Sequence, residues 1–217
     1  MKIEIWSDYS CPFCYIGKTH LDKALKELNL TEEVNVVVRA FQLDPSAPKE
    51  TTETTAAVLA QKYGVSLQHA TKMVEDVAAK AKRSGITMKY EKVKPTNTFD
   101  AHRVMKAAKD KGQKEALMKA LFKGYFEDGL NLSDPDVLEN IAKICGMDVV
   151  EVKYVLKNDS HRDEVESDLQ YAKKLGIRGV PYFLIDSKTV INGAQSVETF
   201  VETIRKAYIE EKNRREL

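Results

Sequence analysis

Ile3-Glu4-Ile5-Trp6-Ser7-Asp8-Tyr9-Ser10-Cys11-Pro12-Phe13-Cys14 is the stretch whose reading decides the fold. From Ile3 to Ser7 apolar and polar side chains alternate, the period of a strand with one buried face. Beyond Cys14, the residues Ile16, Leu21, Ala24, Leu25 and Leu28 recur mostly at three- and four-residue steps, which lays them along one helical face, and Asn29 offers a stop. Val34, Val36 and Val38, running on to Phe41, form a second β-branched strand. The chain therefore opens as a β-α-β unit that Asp44-Pro45 ends, and its two cysteines sit where strand turns into helix.

The pattern then becomes helical. Ser66 opens a segment carrying Leu67, Ala70, Met73, Val74, Val77, Ala78 and Ala81, with Gly85 suited to the left-handed position after its end. Thr98 precedes Ala101, Val104, Met105 and Ala108, with Gly112 as the stop, and Leu117, Ala120, Leu121, Tyr125 and Phe126 repeat the period up to Gly129. Ser133 with Asp136 reads as a capping box, Pro135 stands near the helix start and Gly146 follows its end. Shorter helices are predicted around residues 149–156 and 162–174. Strands return over Tyr182–Ile185 and Thr189–Ile191, joined by the short turn Asp186-Ser187-Lys188. A last helix from near Ser196 carries Phe200, Val201, Ile204 and Tyr208, before a charged tail, Glu210–Leu217, expected to fray. The predicted class is α/β: a discontinuous domain of residues 1–44 and 171–217 with an all-helical insertion domain over 45–170.

Composition narrows the function classes. The 217 residues include 34 lysines and arginines against 33 acidic residues, a net charge of +1, which lacks the basic excess of a nucleic-acid or anionic-membrane binder. Three cysteines are too few for a disulfide scaffold and cannot all pair within one chain, which points to a reducing compartment. Glu4 lies in a start that has no apolar stretch of signal-peptide length, and no later run approaches the roughly 18–20 apolar residues of a membrane span. A soluble cytoplasmic protein is expected; the oligomeric state is left open.

At a helix N-terminus the free N–H groups and the positive end of the helix dipole favour a thiolate, so Cys11 is the expected attacking thiol. Cys14, one turn on and deeper in the helix, is expected to be less exposed and to resolve. Pro12 suits the first helical position because it has no N–H to leave unpaired. A lone C-x-x-C also serves as half a zinc site, but no second pair is present, and Cys145 with His20, His69, His102 and His161 gives no ligand spacing. Two inert buried cysteines are the other reading, and Cys145 itself is expected in the core. Gly179-Val180-Pro181 immediately precedes the strand Tyr182–Ile185; a cis Val180-Pro181 bond there would present the Val180 backbone to a substrate chain. Asp8 is read as a solvated strand-end residue in preference to a buried carboxylate assisting proton transfer, and Trp6, Tyr9, Phe13 and Tyr15 as packing residues in preference to a substrate rim.

Ser10-Cys11-Pro12-Phe13-Cys14-Tyr15, the Gly-Val-Pro before a hairpin, and Asn192-Gly193-Ala194-Gln195 ahead of the last helix resemble the DsbA-like thioredoxin-fold oxidoreductases, the FrnE subgroup in particular. Asn97-Thr98-Phe99-Asp100-Ala101-His102-Arg103 and Tyr125-Phe126-Glu127-Asp128-Gly129 resemble the same subgroup, so the likeness spans nearly the whole chain. The resemblance implies a thioredoxin-like fold with an inserted helical domain, a redox-active Cys11–Cys14 disulfide, Cys11 as nucleophile, Cys14 resolving, and Pro181 as a cis-proline facing them. Substrate contacts would come from Val180, Pro12 and Phe13. It implies thiol-disulfide exchange with protein or small-molecule thiols and disulfides, and no metal or separate cofactor. Phe13 replaces the histidine that DsbA carries between its cysteines, so a less oxidising pair is expected. A neighbouring branch, the kappa-class glutathione transferases and 2-hydroxychromene-2-carboxylate isomerases, supplies the alternative of a glutathione-dependent isomerase or transferase. By that analogy glutathione, also a possible co-substrate of the exchange reaction, would lie along Val180 with its γ-glutamyl end near Gln195 and Ser196.

Overall fold

The computed structural model describes residues 1–215. The order is β1 (Lys2–Ser7), α1 (Pro12–Glu27), β2 (Asn35–Ala40), α2 (Thr55–Tyr63), α3 (Leu67–Arg83), α4 (Phe99–Ala107) and α5 (Lys111–Lys123). It continues with α6 (Pro135–Ile144), α7 (Val149–Lys157), α8 (Arg162–Lys174), β3 (Tyr182–Ile185), β4 (Thr189–Asn192) and α9 (Val197–Arg215). The chain divides into two compact units, Met1–Phe41 together with Asp168 onward, and Gln42–Ser167.

In the first unit the sheet order is β2-β1-β3-β4, with β1 parallel to β2 and antiparallel to β3, and β3 antiparallel to β4. This is the thioredoxin-like arrangement that the resemblance implies. The β3–β4 turn closes through Lys188 N–H to Ile185 O at 3.0 Å and is anchored by the Asp186 carboxylate, which accepts from Lys2 N–H at 2.7 Å. On one face, Ile3, Ile5, Phe183, Ile185 and Ile191 pack with Leu21, Ala24 and Leu25 of α1 and Phe200 and Ile204 of α9. Phe183 and Phe200 meet edge to face at 4.9 Å, a pair of aromatic rings worth about 1 kcal/mol beyond its buried area.

The opposite face is buried too, contrary to the one-sided strand the alternation predicts. Trp6 and Leu184 pack with Ala172 and Ile177, and Tyr171 and Tyr182 meet the Trp6 ring edge-on. A strand flanked on both sides has no solvent edge, so Glu4, 1% exposed, must find charged partners inside. Lys2 Nζ stands 2.9 Å from Glu4 Oε2, and Arg39 Nη2 2.6 Å from Oε1. Burial pushes the Glu4 carboxyl up, but hydrogen bonds from Lys2 and Arg39, with their charges, more than offset it and hold it below the usual carboxylate range. Arg39 Nη1 also pairs with Asp168 Oδ1 at 2.9 Å, and Asp168 Oδ2 accepts from Ala40 N–H at 2.8 Å. The Asp168 backbone carbonyl takes the Trp6 indole N–H at 3.4 Å. These bonds explain why the first unit resumes at Asp168, inside α8.

In the second unit α4, α5, α6 and α7 pack on one another. Arg103, buried on α4, donates to Asp100 Oδ1 at 2.8 Å and Ser160 O at 3.0 Å, and also to the carbonyls of Val155 and Asn158. Several local expectations change. The cap of α6 is Asp134, which accepts from Asp136 N–H at 2.9 Å, while the Ser133 hydroxyl lies 2.5 Å from Lys49 O. Gly112 falls in the first turn of α5, whose cap is Asp110, and so does not stop a helix. The periodic run to Phe126 ends in a π-turn, Gly124–Asp128, closed by left-handed Gly129, where a Cβ would strike Lys92 O at 2.8 Å. Helix α2 went unpredicted: none of its residues is fully buried, so it shows no clean apolar stripe. The expected frayed tail is helical through Arg215, its last two residues lying outside the described ones.

Two stability outcomes follow from the first unit. Asp168→Ala strands the Ala40 N–H and leaves Arg39 one carboxylate short, a loss of about 3 kcal/mol in urea unfolding. A change within about 0.5 kcal/mol, typical of surface positions, would contradict the network's role. On α1, a Cβ at Gly17 would stand 2.9 Å from Pro181 Cγ and 3.2 Å from Phe183 Cζ. Gly17→Ala gains about 1 kcal/mol of helix propensity. It also incurs overpacking of about 1–3 kcal/mol. A lowered Tm is expected, and a raised one refutes the tight approach.

Candidate active site

The turn after β1 is built by Asp8. Its carboxylate Oδ1 accepts from Ser10 N–H at 3.2 Å and its carbonyl from Cys11 N–H at 3.0 Å, which swings the chain into α1 with Cys11 at the N-cap. Asp8 is 1% exposed, so the solvated strand-end reading is overturned: its carboxylate is part of the buried frame of the turn. Pro12 takes the first helical position as predicted, and the first turn of α1 holds no acidic residue.

Cys11 and Cys14 carry free thiols and lie within hydrogen-bonding contact. Burial pushes the Cys14 thiol well above the usual range, and the neighbouring Cys11 sulfur pushes the same way, only partly offset by Ser7 and the Asp8 backbone. The expected contrast in exposure is small, 3% for Cys11 against 1% for Cys14. What separates the two sulfurs is position: Cys11 heads the helix and donates through Sγ to Val180 O at 3.5 Å, while Cys14 lies inside the first turn with its N–H on Cys11 O at 3.1 Å. Tyr9 beside them is fully buried, and burial first, then the Asp8 charge and Cys14, raises its phenol far above the ordinary value.

The Val180–Pro181 bond is cis. Pro181 O accepts from Gly193 N–H at 2.9 Å, which extends the β3–β4 ladder by one rung. Pro12 is half-buried, and Phe13, next to it in the first turn of α1, is 36% exposed. Gln195 and Ser196 are exposed but engaged: Gln195 Nε2 donates to Asn192 O at 2.8 Å, and Ser196 Oγ caps α9 by accepting from Thr199 N–H at 3.2 Å. Trp6 and Tyr9 belong to the interior and form no rim. Cys145 is only half-buried at the C-cap of α6, where the chain leaves the helix, and is not the core residue expected. Among the described residues no group of three or more His, Cys, Asp or Glu side chains could hold a metal ion, and no helix is long and apolar enough to cross a membrane.

Sequence reasoning missed Gly17 and His20. Both stand on the three-residue row that starts at Cys11 and Cys14, and that spacing, C-x-x-C-x-x-G-x-x-H, was the available signal.

Comparison with known proteins places this geometry in a family. The structure of a probable DsbA oxidoreductase from Streptomyces coelicolor is similar, with a TM-score of 0.88 and 35% identity over 97% of this chain and 91% of that one. A 2-hydroxychromene-2-carboxylate isomerase shares the fold at a TM-score of 0.72 and 13% identity, over 98% of both chains. The cytosolic disulfide reductase DsbM of Pseudomonas aeruginosa, solved with GSH, shares it at 0.64 and 14%, over 99% of this chain and 100% of that one. The DsbA-like thioredoxin domain matches residues 2–205, and the chain belongs to that family.

Proposed function

We propose that the protein is a thiol-disulfide oxidoreductase working through the Cys11-Pro12-Phe13-Cys14 dithiol. The observation that carries this is the Cys11 sulfur at the head of α1, in contact with Cys14 and 3.5 Å from Val180 O. In the reducing direction the Cys11 thiolate attacks one sulfur of a substrate disulfide; that S–S bond breaks, and the departing thiolate takes up a proton. Cys14 then loses its proton and attacks the Cys11 sulfur of the mixed disulfide. The second substrate thiol leaves, and a Cys11–Cys14 disulfide holds the two-electron oxidation. Run backwards, the same steps oxidise a substrate dithiol. Burial holds Cys14 protonated, so it resolves only once Cys11 is bonded to substrate and a proton can be taken away.

A substrate segment alongside Val180, with Pro181 fixing the turn and Phe13 offering an apolar contact, fits this geometry: Cys11 gives up its bond to the Val180 carbonyl as its sulfur engages the substrate, and the backbone stays in place. Protein thiols and glutathione are both suitable partners, the second supported by the glutathione named with DsbM. The net charge of +1 and three cysteines accord with a cytoplasmic setting and with no nucleic-acid or membrane partner. The isomerase branch keeps the fold without requiring an internal dithiol, so the retained Cys14 favours exchange.

Insulin reduction driven by dithiothreitol tests the reading. Cys11→Ser is expected to fall to the uncatalysed rate, whereas equal rates for wild type and variant defeat it. Full activity of Cys14→Ser in glutathione-dependent isomerisation, with no disulfide exchange by wild type, would give the assignment to the isomerase alternative.

A further inference from the structure

We propose that His20 is a positioning residue that holds the Val180–Pro181 segment against the cysteine pair, an inference that rests on the thiol-disulfide reading for its effect on turnover. Cys11, Cys14, Gly17 and His20 follow one another at three-residue steps, so from the first turn of α1 onward they form an inclined row on the helix surface. Each of three members touches the same stretch of the first unit. Cys11 Sγ meets Val180 O at 3.5 Å, Gly17 allows Pro181 Cγ to within 2.9 Å of where a Cβ would stand, and His20 Nδ1 lies 2.6 Å from Gln195 O.

The contacts close a ring. Pro181 O accepts from Gly193 N–H at 2.9 Å, Gly193 O from Gln195 N–H at 3.0 Å, and Gln195 O from His20, which returns the path to α1 nine residues after Cys11. A carbonyl only accepts, so Nδ1 carries the proton of this bond, and the tautomer is set by it. Gly193 has φ +78°, a left-handed bend that lets the chain leave β4 and bring Gln195 O to the helix. Without the His20 bond, the segment after β4 loses this tie to α1, and Pro181 loses the far support of its rung to Gly193.

The test uses the full chain, with His20→Ala and with His20→Asn, whose amide can donate from nearly the place of Nδ1. The first readout is amide hydrogen exchange at Gly193, which needs no activity. His20→Ala should speed it by about two- to tenfold, the factor that one net hydrogen bond corresponds to, and His20→Asn should restore it. The second is turnover of a quenched peptide disulfide with dithiothreitol as reductant: KM should rise by a similar factor in His20→Ala, with kcat nearly unchanged. Unchanged Gly193 exchange in His20→Ala overturns the proposal. So does faster exchange with wild-type KM, or a fall in kcat alone. A wild-type protein that exchanges no disulfides defeats the functional reading instead, and Gly193 exchange then still decides whether His20 holds the segment.

Discussion

The close approach of α1 to the Val180–Pro181 turn is the contact on which the rest depends. It is possible because Gly17 carries no side chain where Pro181 and Phe183 press against the helix. Any larger residue would lift the helix head, and with it both sulfurs, away from the backbone they face. The same helix buries Leu21, Ala24 and Leu25 in the core below, so core packing sets where the helix carries the two cysteines. A cysteine pair so placed is rigid by default, which suits the thiol-disulfide exchange proposed for it.

The sheet's other face solves a different problem. A strand enclosed on both sides could have been wholly apolar, yet Glu4 is there, balanced by Lys2 and by an arginine shared with Asp168. Buried ionic groups of this kind add little net stability over apolar replacements, but removing one partner is costly. They also specify register, since only one alignment of β1 with β2 puts Arg39 beside Trp6 and within reach of Glu4. Asp168 belongs to this arrangement through three bonds, and it marks where a chain that left at Phe41 comes back.

The strand-helix-strand opening, the hairpin and the last helix were legible in the amino acids because each has an uninterrupted apolar period. The cysteine pair and the proline facing it were legible for another reason: few chemical settings put C-x-x-C at a helix start. Glu4 was passed over because its burial depends on Arg39, which lies on another strand and is itself held by Asp168, and Asp8 was misjudged because only the path of the turn shows that its carboxylate is closed in. Ser133 and Asp134 are both good caps, and only the path of the preceding turn decides between them. The row through Gly17 and His20 has a visible spacing, but its meaning needs the position of residues about 160–175 further on.

The central claim, that Cys11 is the sulfur that reaches substrate and Cys14 the one that releases it, is tested most directly by trapping. Cys14→Ser incubated with a peptide disulfide, quenched with acid and mapped by mass spectrometry should carry the peptide on Cys11, and the wild type should carry none and instead hold a Cys11–Cys14 bridge. Peptide found only on Cys145, or on no cysteine, would contradict the account.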